Sequence, residues 1–174
     1  VTRFLHPFAR PTQESFISMV RGEGALVYDA EGRDYVDGMA SLWYCHIGHG
    51  RREMAEAIAE QAGTLAAYSA FDPFTNPAAE AVAEKIASIS PLDDPRVFLT
   101  CSGSEAVDSA IKLARIAHVQ AGHPERQLVL SRARGYHGVT YGGLSAQGLP
   151  ANQAGFGPLL PGFINLPSDD LEAM

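Results

Sequence analysis

Lysine is scarce in this chain: among 174 residues there are two, Lys85 and Lys112. Cysteine is equally scarce, with Cys45 and Cys101 alone. Two scattered thiols make no disulfide framework, so a reducing, cytoplasmic setting is the default expectation. Basic residues are outnumbered, 13 Lys+Arg against 20 Asp+Glu, for a net charge of -7. A nucleic-acid binder would instead show a clustered basic face. No run approaches the roughly 18 consecutive apolar residues of a membrane span, and the first ten residues carry no apolar signal-peptide core. The chain opens on Val1 rather than Met, as expected of a processed or trimmed sequence. Neither internal repeats nor low-complexity segments occur. What is abundant is ordinary: 46% hydrophobic residues, enough for one domain with a core.

Residues 1–21, with Pro7 and Pro11, read as irregular. A hairpin follows, with Ala25-Leu-Val-Tyr-Asp29 and Asp34-Tyr-Val-Asp37 as strands around the turn Ala30-Glu-Gly-Arg33. Residues 38–50 form a loop rich in Gly, His and aromatics. Met54, Ile58, Ala62 and Leu65 then mark one amphipathic helix. Asn76-Pro77 opens a second helix, carrying Val82, Ile86 and Ile89. Both are expected to cover a sheet. Arg96-Val-Phe-Leu-Thr100 reads as a buried strand, residues 104–121 as a helix and Gln127-Leu-Val-Leu-Ser131 as another strand. That alternation predicts a crossover unit of a mostly parallel sheet. Gly-rich loops come next, then Phe163-Ile-Asn165 as a third strand. Asp169-Asp-Leu-Glu172 resembles the first turn of a helix, which fits a segment of a longer chain.

Three motifs can carry chemistry. In Thr100-Cys-Ser-Gly-Ser-Glu-Ala106, Gly103 permits a tight turn and Ser102 and Ser104 offer hydroxyls. The opening amides of the following helix point outward with partial positive charge, which suits a phosphate. An ordinary serine cap with Glu105 in the first turn explains the same residues. In Arg134-Gly-Tyr-His-Gly138, Tyr136 stands after a strand, where ligands gather in parallel sheets. Its ring either lies against a flat ligand or packs on the sheet edge. Leu42-Trp43-Tyr44 contains the sole Trp, either a core plug or a pocket wall.

These residues resemble a known family. Gly103-Ser-Glu-Ala-Val-Asp-Ser-Ala-Ile-Lys-Leu-Ala-Arg115 resembles the phosphate-binding helix of class III (ω-type) aminotransferases. Gly135-Tyr-His-Gly138 resembles their cofactor-stacking motif. Asp37-Gly-Met-Ala-Ser-Leu-Trp-Tyr-Cys-His-Ile-Gly-His-Gly-Arg51 and His6-Pro-Phe8 resemble their substrate-pocket segments. The motifs run through nearly the whole chain in the family's order. The Leu-Trp pair is closer to the amine–pyruvate and β-alanine–pyruvate branch than to the ornithine or 4-aminobutyrate branches.

The resemblance implies an α/β, fold type I aminotransferase-like architecture: a partial three-layer sandwich with a mostly parallel sheet. Residues 1–50 would be the amino-terminal small-domain segment, and 51–174 the first part of the cofactor-binding large domain. It implies that Ser102, Gly103 and Ser104 hold the phosphate of pyridoxal 5'-phosphate, and that Tyr136 stacks on its ring with His137 beside it. Leu42 and Trp43 would line the substrate pocket, and Phe8 and Phe71 would reach across a homodimer interface. An amine donor and a keto acid such as pyruvate are the implied substrates. The family's Schiff-base lysine has no counterpart here: Lys85 and Lys112 sit inside helical patterns and read as surface residues. On this resemblance the catalytic lysine is expected beyond Met174, with the isolated chain inactive.

Two other readings stay open: a non-catalytic protein derived from a truncated transferase, and a lyase, decarboxylase or racemase on the same cofactor fold. No metal is expected, because His46 and His49 share a loop without further ligands arranged around them. A serine hydrolase is not expected either. In Gly143-Leu-Ser-Ala-Gln147 the glycine that would close a nucleophile elbow falls one place late, at Gly148.

Overall fold

The structure is a computed structural model describing residues 3–170 and 172. It divides into two compact units, Val1–Asn76 and Pro77–Met174.

The first unit is built on a three-stranded antiparallel sheet of β1 (Met19–Glu23), β2 (Leu26–Asp29) and β3 (Asp34–Val36), in that order. The predicted hairpin is β2–β3. β1 corrects the irregular reading of 1–21: despite Gly22 and two charges it pairs with β2, with a register shift between Met19 and Arg21. Asp29 holds the hairpin turn. Its fully buried carboxylate accepts from the amides of Glu31 and Arg33, from Arg33 Nε at 2.6 Å and from the Tyr35 hydroxyl at 2.8 Å. Burial pushes this carboxyl up, but the Tyr35 hydroxyl and Arg33 outweigh it and bring it to about 2. A short turn, α1 (Ala40–Trp43), and the helix α2 (Arg52–Leu65) complete the unit.

The second unit opens with α3 (Pro77–Ile89), its proline at the first helical position as predicted. α4 (Gly103–Gln120) follows, then β4 (Val129–Arg132), α5 (Tyr141–Ala146), α6 (Pro150–Gln153) and β5 (Phe163–Leu166). β4 and β5 pair in parallel, Val129 beside Phe163 and Arg132 beside Leu166. Asn165 fastens the pair to α5, donating to the Ala146 carbonyl at 2.9 Å.

Several expectations need correction. Residues 96–100 are not a buried strand: no strand among the described residues pairs with them, and Phe98 and Leu99 are exposed. A strand exists only through a neighbour's ladder, and an apolar run cannot supply its own. No residue of α2 or α3 is buried, and neither helix packs on a strand among the described residues. The Gly-rich stretch after Gly138 is not all loop, since it forms α5 and α6. The helix start read at 169–172 includes Leu171, which lies outside the described residues.

α5 carries the core. Gly142, Gly143, Leu144, Ser145 and Ala146 are all buried, and Gln147 follows them. Ser145 donates to the Tyr141 carbonyl at 2.6 Å and accepts from the Leu160 amide at 3.0 Å. Its hydroxyl is thus committed to structure and not poised as a nucleophile. Among the described residues no helix is long and apolar enough to cross a membrane.

Candidate functional site

The start of α4 satisfies the cap reading first. Ser102 is extended, at φ -155 and ψ 158, and its Oγ accepts from the Glu105 amide at 3.2 Å. Glu105 reaches back to accept from the Cys101 amide at 2.8 Å, a variant of the reciprocal capping box. The cap leaves the amides of Gly103 and Ser104, the first two of the helix, without intrahelical acceptors at its positive end. Gly103 is not there for a tight turn, as its sequence context suggests, because its φ is not positive. A Cβ built on it meets nothing within 4 Å.

The segment after β4 closes over this helix start. Gly138, at φ +114, lies so close that a Cβ there would fall 2.7 Å from Ser104 Oγ and 2.9 Å from Ser104 Cα. Val139 donates its amide to Ser104 Oγ at 3.0 Å, and the Thr140 hydroxyl donates to the Ser104 carbonyl at 3.3 Å. The two motifs, some thirty residues apart in sequence, therefore meet. Tyr136 stands four residues beyond the end of β4 and is 53% exposed. His137 turns inward against Gly135, and its Nε2 is buried without a hydrogen-bond partner among the described residues.

α5 sits behind this loop. Its Gly143 amide donates to Asp108 of α4 at 3.0 Å. Asp108 lies four residues after Ser104, on the same helical face. Buried Gln147 donates through Nε2 to the Gly138 carbonyl at 3.2 Å.

In the first unit, Ala40, Ser41, Leu42 and Trp43 all have positive φ, from 47 to 76. α1 is thus one left-handed turn with no glycine in it, a conformation that costs about 1–2 kcal/mol per residue. Asp37 grips it, accepting from the Ser41 amide at 2.9 Å and the Ser41 hydroxyl at 3.1 Å. The other partner of Asp37 is His49 Nε2, at 2.8 Å, while His49 Nδ1 lies 3.5 Å from Cys45 Sγ. These bonds, the Ser41 amide foremost and His49 next, hold the Asp37 carboxyl below its ordinary value. Leu42 and Trp43 project at 63% and 68% exposure. Phe8 and Phe71 stand in solvent at 102% and 85%.

The family model for class III aminotransferases matches residues 8–174. The chain belongs to that family. It is 43% identical over 150 residues to a probable aminotransferase of Mycobacterium tuberculosis, covering 86% of this chain and 32% of that protein. To the β-alanine–pyruvate aminotransferase of Pseudomonas aeruginosa it is 42% identical over 142 residues, covering 82% and 32%. A thermostable (S)-enantioselective ω-transaminase from Thermomicrobium roseum superposes with a TM-score of 0.90 at 44% identity, over 94% of this chain and 37% of that one. An amine transaminase from an uncultivated Pseudomonas species, solved in a PLP-bound form, gives 0.90 at 34% identity, over 96% and 38%. The chain spans about a third of the length of the curated relatives it matches.

The class III aminotransferase fold agrees with the α/β, fold type I expectation. Asp108 and Gln147, which position the Gly138 loop from behind, carry no motif of their own in the sequence. Only the Gly142-Gly143 pair pointed to close packing there. Asp37 and His49 carry none as a pair either, although their spacing of twelve residues around Leu42 and Trp43 is visible.

Proposed function

We propose that the whole protein containing this chain is a pyridoxal-phosphate-dependent aminotransferase. It moves an amino group from an amine or ω-amino acid to a keto acid such as pyruvate. One observation carries the reading: the Gly138 loop docks on the first turn of α4 and leaves a seat of polar hydrogens. Ser104 Oγ already accepts from Val139, so its own hydrogen remains to donate beside the Gly103 and Ser104 amides. A helix start furnished in this way suits a phosphate. The empty space at Gly103 is room for a phosphate oxygen to approach the backbone.

In this reading Ser102 caps the seat while Gly103 and Ser104 hold the phosphate. Tyr136 lies against the pyridine ring, with His137 beside it. Leu42 and Trp43 line the substrate pocket. When bound, the cofactor supplies an electron sink for the bonds at the amino-bearing carbon. The chain's residues bind, orient and cover it. Support for the substrate class comes from relatives named for β-alanine, putrescine and ω-amino acids, each with pyruvate. Residues 51–174 would begin the cofactor-binding domain, after the amino-terminal segment 1–50. Both cysteines are free, which suits the cytoplasm.

Gly103→Ala tests the seat in the whole protein. Its Cβ meets nothing within 4 Å among the described residues beyond its own neighbours and helix turn, so the thermal midpoint of the cofactor-free protein should not fall. Cofactor affinity should weaken by about 1–2 kcal/mol, roughly tenfold, the scale of a charge-assisted hydrogen bond. Unchanged affinity on titration would remove the phosphate from this site. Tyr136→Ala should weaken binding more than Tyr136→Phe, because a stacking ring does not need its hydroxyl.

The exposed Phe8 and Phe71 support a homodimer in which each reaches the neighbouring subunit's site. Equilibrium sedimentation of the whole protein at micromolar concentration should give a dimer or a larger assembly. A monomer would end that part of the proposal.

A further inference from the structure

Nothing within Ala40–Trp43 itself makes α1 left-handed. Ala40, Ser41, Leu42 and Trp43 are consecutive, none is glycine, and an isolated chain would unwind them. The turn must be held from outside, and the structure supplies the hold. Both oxygens of Asp37 face the Ser41 amide, at 3.0 and 2.9 Å, and Oδ2 also accepts from the Ser41 hydroxyl. The same Oδ2 meets His49 Nε2. His49 is itself fixed: its amide and carbonyl exchange hydrogen bonds with Gly24 at 2.8 and 3.0 Å. Its ring lies so close over Gly22 that a Cβ there would sit 2.6 Å from Cγ. Asp37 therefore ties the turn to the sheet edge through His49, and a cavity of about 500 Å³ opens beside Asp37, Ser41 and His49.

We infer that Asp37 and His49 are positioning residues for substrate selection. The clasp fixes the direction in which Leu42 and Trp43 project, and so sets the shape of the pocket wall they form. This rests on the proposed aminotransferase function, because it takes Leu42 and Trp43 as substrate-facing. Neither Asp37 nor His49 touches the substrate in this scheme. Loosening the clasp should disturb recognition of a bulky amine and leave the chemistry and the cofactor seat intact.

The experiment uses the cofactor-loaded whole protein, with pyruvate as acceptor and either a bulky aromatic amine or a small ω-amino acid as donor. Asp37→Ala should raise KM for the aromatic amine about tenfold, with kcat within about twofold and cofactor absorbance unchanged. Asp37→Asn keeps one acceptor for the Ser41 amide and should fall between. The discriminating variant is Asp37→Ala combined with Ser41→Gly. Glycine enters the left-handed region without strain, so it should restore most of the lost selectivity. Unchanged selectivity in Asp37→Ala, or no recovery with Ser41→Gly, would overturn the inference.

A second readout is independent of turnover. With 5-fluorotryptophan incorporated, the fluorine signal of Trp43, assigned by its loss in Trp43→Phe, should shift and sharpen in His49→Gln and in Asp37→Ala. It should return in the Ser41→Gly double variant. If the unaltered protein transaminates no amine, the aminotransferase reading fails, and this signal still decides whether the clasp holds the turn. An unmoved signal overturns the clasp even in an active enzyme. Should Asp37→Ala not fold, His49→Gln decides by the same two measurements.

Discussion

Incubated with pyridoxal phosphate, an amine donor and pyruvate, the purified 174-residue chain is expected to form alanine no faster than the cofactor does alone. Typical enzymes turn over at about 1–10³ per second, so the expected deficit is several orders of magnitude. Transamination through this cofactor needs a protein amine to receive it and a base to move the proton at the substrate carbon. The amines present are wrongly placed. Lys112 is nine residues past Gly103 along α4, about 13 Å along the axis at 1.5 Å per residue. It is also exposed, away from the helix start. Lys85 is exposed on α3, and no hydrogen bond joins it to the Tyr136 loop among the described residues. Borohydride reduction followed by peptide mapping checks this directly. Specific labelling of Lys85 or Lys112, together with alanine above the cofactor-only rate, would make the short chain an enzyme in its own right.

Gly143→Ala should be among the most damaging single-methyl changes in the second unit. A Cβ at Gly143 would collide with the His137 carbonyl and lie 3.1 Å from Gly138 Cα. Both are backbone atoms that cannot rotate away. Overpacking of this kind costs about 1–3 kcal/mol and sometimes more. The displaced loop carries Tyr136 and the Gly138 contact with Ser104, so cofactor affinity should fall with stability. Gly63→Ala is the control. Gly63 lies inside α2 with nothing within 4 Å of a built Cβ, and the change should stabilise by roughly 0.5–1 kcal/mol through helix propensity. Thermal unfolding of the two variants of the whole protein should move in opposite directions. If Gly143→Ala unfolds within a degree of the parent, the packing of α5 against the loop is wrong.

What could be read from sequence was what is held locally. The β2–β3 hairpin follows from its alternation and turn, α3 from Pro77, and α4 from Ser102 with Glu105. Each needs only residues close in sequence. The misses depend on contacts that composition does not announce. Tyr-Gly-Gly-Leu-Ser-Ala has poor helix propensity, and α5 exists because Asp108, Gln153 and Leu160 bind its backbone and Ser145 from outside. Residues 96–100 have the composition of a strand but no ladder partner among the described residues. Ala40 to Trp43 carry no glycine, so nothing in them announced a left-handed turn whose cause is Asp37. For the candidate site the same division holds. The serines proposed for the phosphate seat and Tyr136 were visible in motifs, whereas Asp108 and Gln147 act through contacts distant in sequence, and Asp37 joins a neighbour, Ser41, to His49 twelve residues on.

The hydrogen bond from Val139 to Ser104 joins residues 35 positions apart. The cap at Ser102 needs only neighbouring residues, but the proposed seat on it is finished only when the intervening loop has closed, at an entropic cost that grows with its length. A ligand that requires both halves is therefore bound by the closed state and not by the open one. Its free concentration then enters the folding equilibrium by mass action, raising the population of closed molecules as it accumulates. If the proposed seat holds the cofactor, its supply and the survival of the chain become linked quantities: a shortage would leave more molecules open to proteolysis.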